Sequence, residues 1–140
     1  VNTPLLISLL KLHEGLRLIP YNDIVGKLTI GYGHNLDDKP ISKRAAEVML
    51  EDDIQDAIEE CERLPYWDAL SDVRKCVIAD MVFNMGMSRF NGFIRMNRAL
   101  KIGNYTKAAY EMLDSKWAGQ VGERAERLSI MMESDTIPVI

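Results

Sequence analysis

One stretch, 71–85, limits the fold more than any other part of the chain. Val73, Cys76, Val77, Ile78, Met81, Val82, Phe83 and Met85 recur so closely that, wound as a helix, they cover nearly its whole circumference. A helix that is apolar all round is buried on all sides. Ser71 is a suitable N-cap and Gly86 a suitable stop. The rest of the chain must therefore supply elements that surround a central helix.

Most of the remaining pattern is itself helical. Thr3 as N-cap with Pro4 behind it opens a first helix. Its apolar face is Leu5, Leu6, Leu9, Leu10 and Leu12, and it closes at His13-Glu14-Gly15. Pro40 and Ser42 open another helix. There Leu50, Ile54, Ala57, Ile58 and Cys61 fall at i, i+4, i+7, i+8 and i+11, and Pro65 separates it from the next element. Further helices are predicted at about 92–102, 105–114 and 123–132.

The texture changes between 15 and 40. That segment holds Gly15, Gly26, Gly31 and Gly33, Pro20 and Pro40, and a run of β-formers from Leu28 to Tyr32. It reads as a strand at 17–21, a turn at 22–26 and a second strand at 27–32. The prediction is a single domain over 1–140, α+β and mostly helical. A small antiparallel β lobe (about 15–40) is inserted into a helical lobe (about 1–14 and 41–140). Lobes of unequal kind leave a cleft, and clefts bind ligands.

With 140 residues, 47% hydrophobic and 27% charged, the chain has the make-up of one compact globular domain. The 17 basic and 21 acidic residues give a net charge of −4, and no block of like charge stands out. That argues against a nucleic-acid partner held by phosphate contacts and against a polybasic membrane anchor. No apolar run approaches the roughly 18 residues of a membrane span, so no stable membrane insertion is expected. No secretory signal is recognisable at the N-terminus. Cys61 and Cys76 fit no metal pattern and sit in apolar helical stripes. Both are expected to be buried free thiols, which suits a reducing compartment.

Three residues carry the chemistry. Glu14 lies at the C-terminal end of the first helix, where the helix dipole disfavours an ionised carboxylate. An apolar cleft would act in the same direction, and a carboxyl that keeps its proton towards neutral pH can serve as a general acid. Asp23, nine residues on in a hydrated turn, is expected to stay ionised, and Thr29 follows six later on the returning strand. Each has an ordinary reading alone: a terminal Glu, a turn-stabilising Asp, a β-forming Thr. Together, a neutral acid facing a carboxylate with a hydroxyl to hold water is equipment for cleaving a glycosidic bond.

Set in E-G-L-R-L, Y-N-D and G-K-L-T-I-G-Y-G-H, this triad resembles that of the phage T4-type lysozymes, the endolysins of glycoside hydrolase family 24. The resemblance continues from Pro65 through Met81-Val82-Phe83-Asn84-Met85-Gly86 to Phe93, and again at Ser115-Lys116-Trp117 and Arg124-Ala125. It implies a lysozyme-like fold and hydrolysis of the β-1,4 bond between N-acetylmuramic acid and N-acetylglucosamine in peptidoglycan. Glu14 would protonate the leaving oxygen, with Asp23 and Thr29 acting on the opposite side of the sugar with inversion. No metal or cofactor is implied.

By the same resemblance, Arg124 approaches the catalytic Glu, and His34 pairs with Asp53 in a structural role. Phe83 and Asn84 line the cleft, with Tyr32 and Asn35 near its lower rim. Met96 and Glu111 stand where the chain departs from the family pattern. The short segment between His34 and Ser42 implies a smaller β lobe. Such an enzyme would be a monomer acting on glycan strands. It would accumulate in the bacterial host cytoplasm and reach the wall once the membrane is opened. Two alternatives remain: a lytic transglycosylase on the same bond, disfavoured by the presence of Asp23 and Thr29, and an inactive wall-binding relative. Outside the triad, Asp80 is expected at a boundary with a hydrogen-bond partner. A stripe of Arg89, Arg95, Arg98 and Lys101 reads as a solvated helix face.

Overall fold

A computed structural model describes residues 1–139 and divides into two units, Val1–Met49 and Leu50–Ile140. The first unit opens with α1 (Thr3–Glu14). Its N-cap is Asn2, one residue before the Thr3 expected from the sequence, and the Asn2 side chain accepts from the Leu5 amide. Asn caps at least as well as Thr, and Pro4 still falls in the first turn, where a missing N–H costs nothing. Gly15 ends the helix with φ +69° and donates its amide to the Lys11 carbonyl. The leucines of α1 are all exposed, because the small sheet of this unit does not cover them.

The sheet has the antiparallel order β1 (Arg17–Asn22), β2 (Leu28–Gly31), β3 (His34–Asn35). Tyr21 pairs with Thr29, and Thr29 with Asn35, so Thr29 sits on the central strand. The register slips between Arg17 and Tyr21, around Pro20, which has no amide to give the ladder. The short third strand was not anticipated; two residues are too few to show an alternation. Helix α2 (Lys43–Cys61) follows, with Ser42 Oγ accepting from the Ala45 amide.

The second unit is helical. A single 3₁₀ turn (Trp67–Ala69) leads into α3 (Asp72–Met85), capped as expected by Ser71, whose side chain accepts from Arg74 N. Then come α4 (Met87–Asn91), α5 (Ile94–Lys101), α6 (Tyr105–Leu113), α7 (Lys116–Val121) and α8 (Glu123–Ser134). The helix predicted at 92–102 is present as α5, starting two residues later. The short helix α4 was not predicted. The helix α7 was missed; its Ser115 cap accepts from Ala118 N and its hydroxyl donates to Met112 O.

Helix α3 is also not buried all round. It packs on α8 and α4 through Val77, Ile78, Met81, Val82 and Met85. Cys76 and Phe83 lie on a stripe that this unit leaves uncovered, so Cys61 is a buried thiol but Cys76 is exposed. Burial pushes the Cys61 thiol up to about 11, which keeps it protonated and unreactive.

The core of the second unit is rich in methionine. Met81, Met96, Met112 and Met132 are fully buried around Phe90, Ile78 and Leu100. Unbranched, flexible Met fills the irregular gaps between short helices. Arg74 ties the ends of this unit together. Its Nε donates to Met132 O at 2.8 Å and Nη2 to Glu133 O at 3.1 Å, while its guanidinium stacks 3.8 Å from the Tyr105 ring centroid. It thus satisfies carbonyls at the C-terminal end of α8, where a cation is also favoured by the helix dipole.

Candidate active site

Three local structures position the predicted triad, all within the first unit. Glu14 is the last residue of α1. Its side chain lies against Gly33, where an added Cβ would come within 2.7 Å of Glu14 Oε2 and 2.8 Å of its Cδ. Gly33 also has φ +71°, so glycine is required twice there, for the backbone and for room under the carboxyl. Gly33, just past the end of β2, is therefore the seat of the Glu14 side chain.

Asp23 holds the hairpin turn. Its Oδ1 accepts from Val25 N at 3.0 Å and Lys27 N at 2.8 Å. Its backbone bonds Lys27 O at 2.9 Å and Gly26 N at 3.0 Å. The ordinary reading of a turn Asp and the functional reading are both true, on different atoms. Oδ1 is spent on the turn, which fixes the plane of the carboxylate and leaves Oδ2 without a protein partner among the described residues.

Thr29 is the only buried residue of Val1–Met49, at 3% exposure. A unit this small has few places to hide a side chain, and the place goes to a hydroxyl. Its Oγ1 donates to Lys27 O at 2.8 Å, which pins the rotamer and leaves lone pairs to accept from a water. The same Lys27 backbone thus serves both Asp23 and Thr29.

The neighbouring residues stiffen this hairpin. The Asp37 carboxylate accepts from Leu28 N at 2.7 Å, and Lys27 Nζ meets Asp38 Oδ1 at 3.0 Å. The hydrogen bond from Lys27 holds the Asp38 carboxyl below its ordinary range, and the same bond raises Lys27. Asn35, expected at the rim, has both side-chain atoms engaged locally: Oδ1 caps Asp37 N and Asp38 N, and Nδ2 donates to Asp38. His34 Nε2 is 3.0 Å from the Lys39 carbonyl, so that carbonyl is its partner in the loop. Tyr32 is exposed, with Lys11 Nζ 5.3 Å from its ring centroid.

In the second unit, Phe83 is 45% exposed and is no core aromatic. With Asp53, Asp56 and Glu60 it lines a groove of about 360 Å³. Asn84 Oδ1 accepts from Trp117 Nε1 at 2.8 Å, and Phe93 packs edge-on against Trp117 at 6.1 Å. Trp117 therefore orients the Asn84 amide so that its NH₂ stays available. This role was not anticipated, and a lone Trp in a segment not predicted as helical offers little signal of it. Arg124 bonds Asp80, with both Nε and Nη2 2.8 Å from Oδ1, which gives Asp80 its expected partner. Among the described residues no group of three or more His, Cys, Asp or Glu is placed to hold a metal ion.

A small antiparallel sheet that follows the first helix, beside a second unit built of helices, is the α+β make-up of the lysozyme class. Comparison with known proteins makes this specific. The family described as Phage lysozyme matches residues 11–130, a span that includes Glu14, Asp23, Thr29, Phe83 and Asn84. Probable T4-type lysozyme 1 of Dictyostelium discoideum is 27% identical over 160 aligned positions, covering 93% of this chain and 94% of the relative. The endolysin of Salmonella phage P22 is 33% identical, covering 81% and 82%. An endolysin of Acyrthosiphon pisum secondary endosymbiont phage 1 is 32% identical, covering 80% and 76%. The chain belongs to the phage lysozyme family and is a peptidoglycan hydrolase of the muramidase type.

Proposed function

We propose that Glu14, Asp23 and Thr29 carry out the hydrolysis of the β-1,4 bond between N-acetylmuramic acid and N-acetylglucosamine. Glu14 gives its proton to the glycosidic oxygen as the bond to the anomeric carbon breaks. A water held between Asp23 Oδ2 and Thr29 Oγ1 attacks that carbon from the opposite face, and Asp23 accepts its proton. The negative charge of Asp23 also stabilises the oxocarbenium-like transition state. Direct attack by water inverts the anomeric centre.

The observation that carries this reading is the division of labour on the hairpin. The Lys27 amide fixes Asp23 Oδ1 and the Lys27 carbonyl fixes Thr29 Oγ1, leaving one free acceptor on each side chain for the same water. Phe83 offers an apolar face to a sugar ring, Asn84 an amide to an N-acetyl or hydroxyl group, and Tyr32 an exposed ring in the first unit. The enzyme works as a monomer on glycan strands, held in the host cytoplasm until the membrane is opened. No helix of the described residues is long and apolar enough to cross a membrane.

Product analysis tests the reading. Digestion of purified glycan strands is expected to release reducing ends whose first-formed anomer, followed by proton NMR, is α. An anhydro sugar would instead indicate a transglycosylase, and a first-formed β anomer would indicate a covalent intermediate.

A further inference from the structure

The second unit separates its charges by region. The twelve residues 51–62 hold seven acids, Glu51, Asp52, Asp53, Asp56, Glu59, Glu60 and Glu62, and no base. The thirty residues 81–110 hold no acid and five bases, in a chain whose net charge is −4. Four of those bases, Arg95, Arg98, Lys101 and Lys107, line one groove of about 640 Å³ between α5 and the start of α6, together with Ile102 and Asn104. All four are exposed. Lys107 is shared with Glu111 at 3.0 Å, whose side chain is only 7% exposed; the other three have no acidic partner among the described residues.

We propose that this groove binds a phosphodiester-linked anionic polymer of the bacterial wall, of the teichoic-acid class. The proposal rests on the wall-lytic reading above. Arg95, Arg98 and Lys101 follow each other at three-residue steps on α5, about 4.5 Å of rise per step, so they form a row of cations. A polymer with a phosphate in each repeat presents a matching row, and the guanidinium fork suits phosphate oxygens. The groove is concave, which fits a strand better than a flat membrane. It has no aromatic lining, and single-stranded nucleic-acid sites rely on base stacking as well as charge. Binding there also addresses an electrostatic difficulty: a chain of net charge −4 is repelled by an anionic wall unless a local cationic face orients it.

The test is co-sedimentation of the full chain carrying Glu14→Gln with Gram-positive sacculi, intact or chemically stripped of teichoic acid, at low and high salt. Retention on intact sacculi is expected to exceed that on stripped sacculi and to collapse at high salt. Arg98→Gln/Lys101→Gln in the same background should weaken it by about a hundredfold, tenfold for each of the two lost phosphate contacts at low salt. Placed in the wild-type background, the same double substitution should hydrolyse polymer-free glycan at the parental rate, which shows that it folds. Equal retention on stripped sacculi, or no effect of the double substitution, would overturn the proposal. So would tighter binding to duplex DNA than to isolated teichoic acid. Failure of the parent to cut polymer-free glycan would count against the catalytic reading and not against the groove, because retention is measured separately.

Discussion

Asp23 shows how one side chain serves both structure and chemistry. Its Oδ1 closes the turn through two amides, and its Oδ2 has no protein partner among the described residues. Two substitutions separate these roles. Asp23→Asn keeps an oxygen for the turn and removes the charge, so it should fold as the parent but lose activity by about 10²-fold or more, in the range of a general base. Asp23→Ala should lose the same activity and, in addition, about 1 kcal/mol of stability as the turn amides lose their acceptor. Paired activity and thermal-unfolding measurements check both. Similar stability for the two variants would mean that the turn does not depend on this side chain. At this scale the triad was legible through the motif around it, by resemblance to the family, because each of its residues alone has an ordinary reading. The seat that Gly33 makes for Glu14 was not, because a glycine's neighbour is fixed by the path of the chain and not by the glycine. The link from Trp117 to Asn84 spans 33 residues, and no local pattern announces such a contact.

Among the elements, regular helices with caps were legible and short ones were not. Ser71 and Gly15 act as read from the sequence, because capping is a local interaction. Helices α4 and α7 have five and six residues, too few for a stripe to repeat. The apolar circumference of 71–85 overstated the burial of α3. Hydrophobicity records which faces can be covered, and in the second unit only the face toward α4 and α8 is.

Two predictions belong to this scale. Arg74→Ala should destabilise the second unit by about 2 kcal/mol, because it orphans carbonyls at the end of α8 and removes the stack on Tyr105. Arg74→Lys should not restore the loss, since an ammonium cannot both bridge two carbonyls and stack. Denaturant unfolding of the two variants measures this. The second prediction concerns the hairpin. Asp38 lies below its ordinary value of 3.8, so the Lys27 pair supports the hairpin above that value, and the support is lost as pH falls through the lowered one. Lys27 lies above its ordinary value of 10.5, so its contribution is complete below 10.5 and is lost as pH rises through the raised value. Between these limits the contribution is flat. Asp38→Asn should therefore flatten the acid limb of the stability profile, by a small amount because both groups are exposed to solvent.

At the scale of the whole molecule, the two units divide the work differently. The second unit holds the methionine-rich core, while the first holds the triad and buries only Thr29. The α+β class, the hairpin after the first helix and the family were all legible in the sequence, because the motifs that carry them are continuous. The row of bases on α5 was legible as a helix face, but the groove it shares with Lys107 was not, because that exists only once α6 folds beside α5.

The most direct test of the central claim is the rate at which the chain clears outer-membrane-permeabilised bacterial cells, compared with Glu14→Gln. Gln preserves the size of the side chain over Gly33 but has no proton to give the leaving oxygen. The account predicts strong clearing by the parent and a loss of at least about 10²-fold in the variant at unchanged stability. Comparable clearing by a folded Glu14→Gln protein would contradict it and remove Glu14 from the reaction.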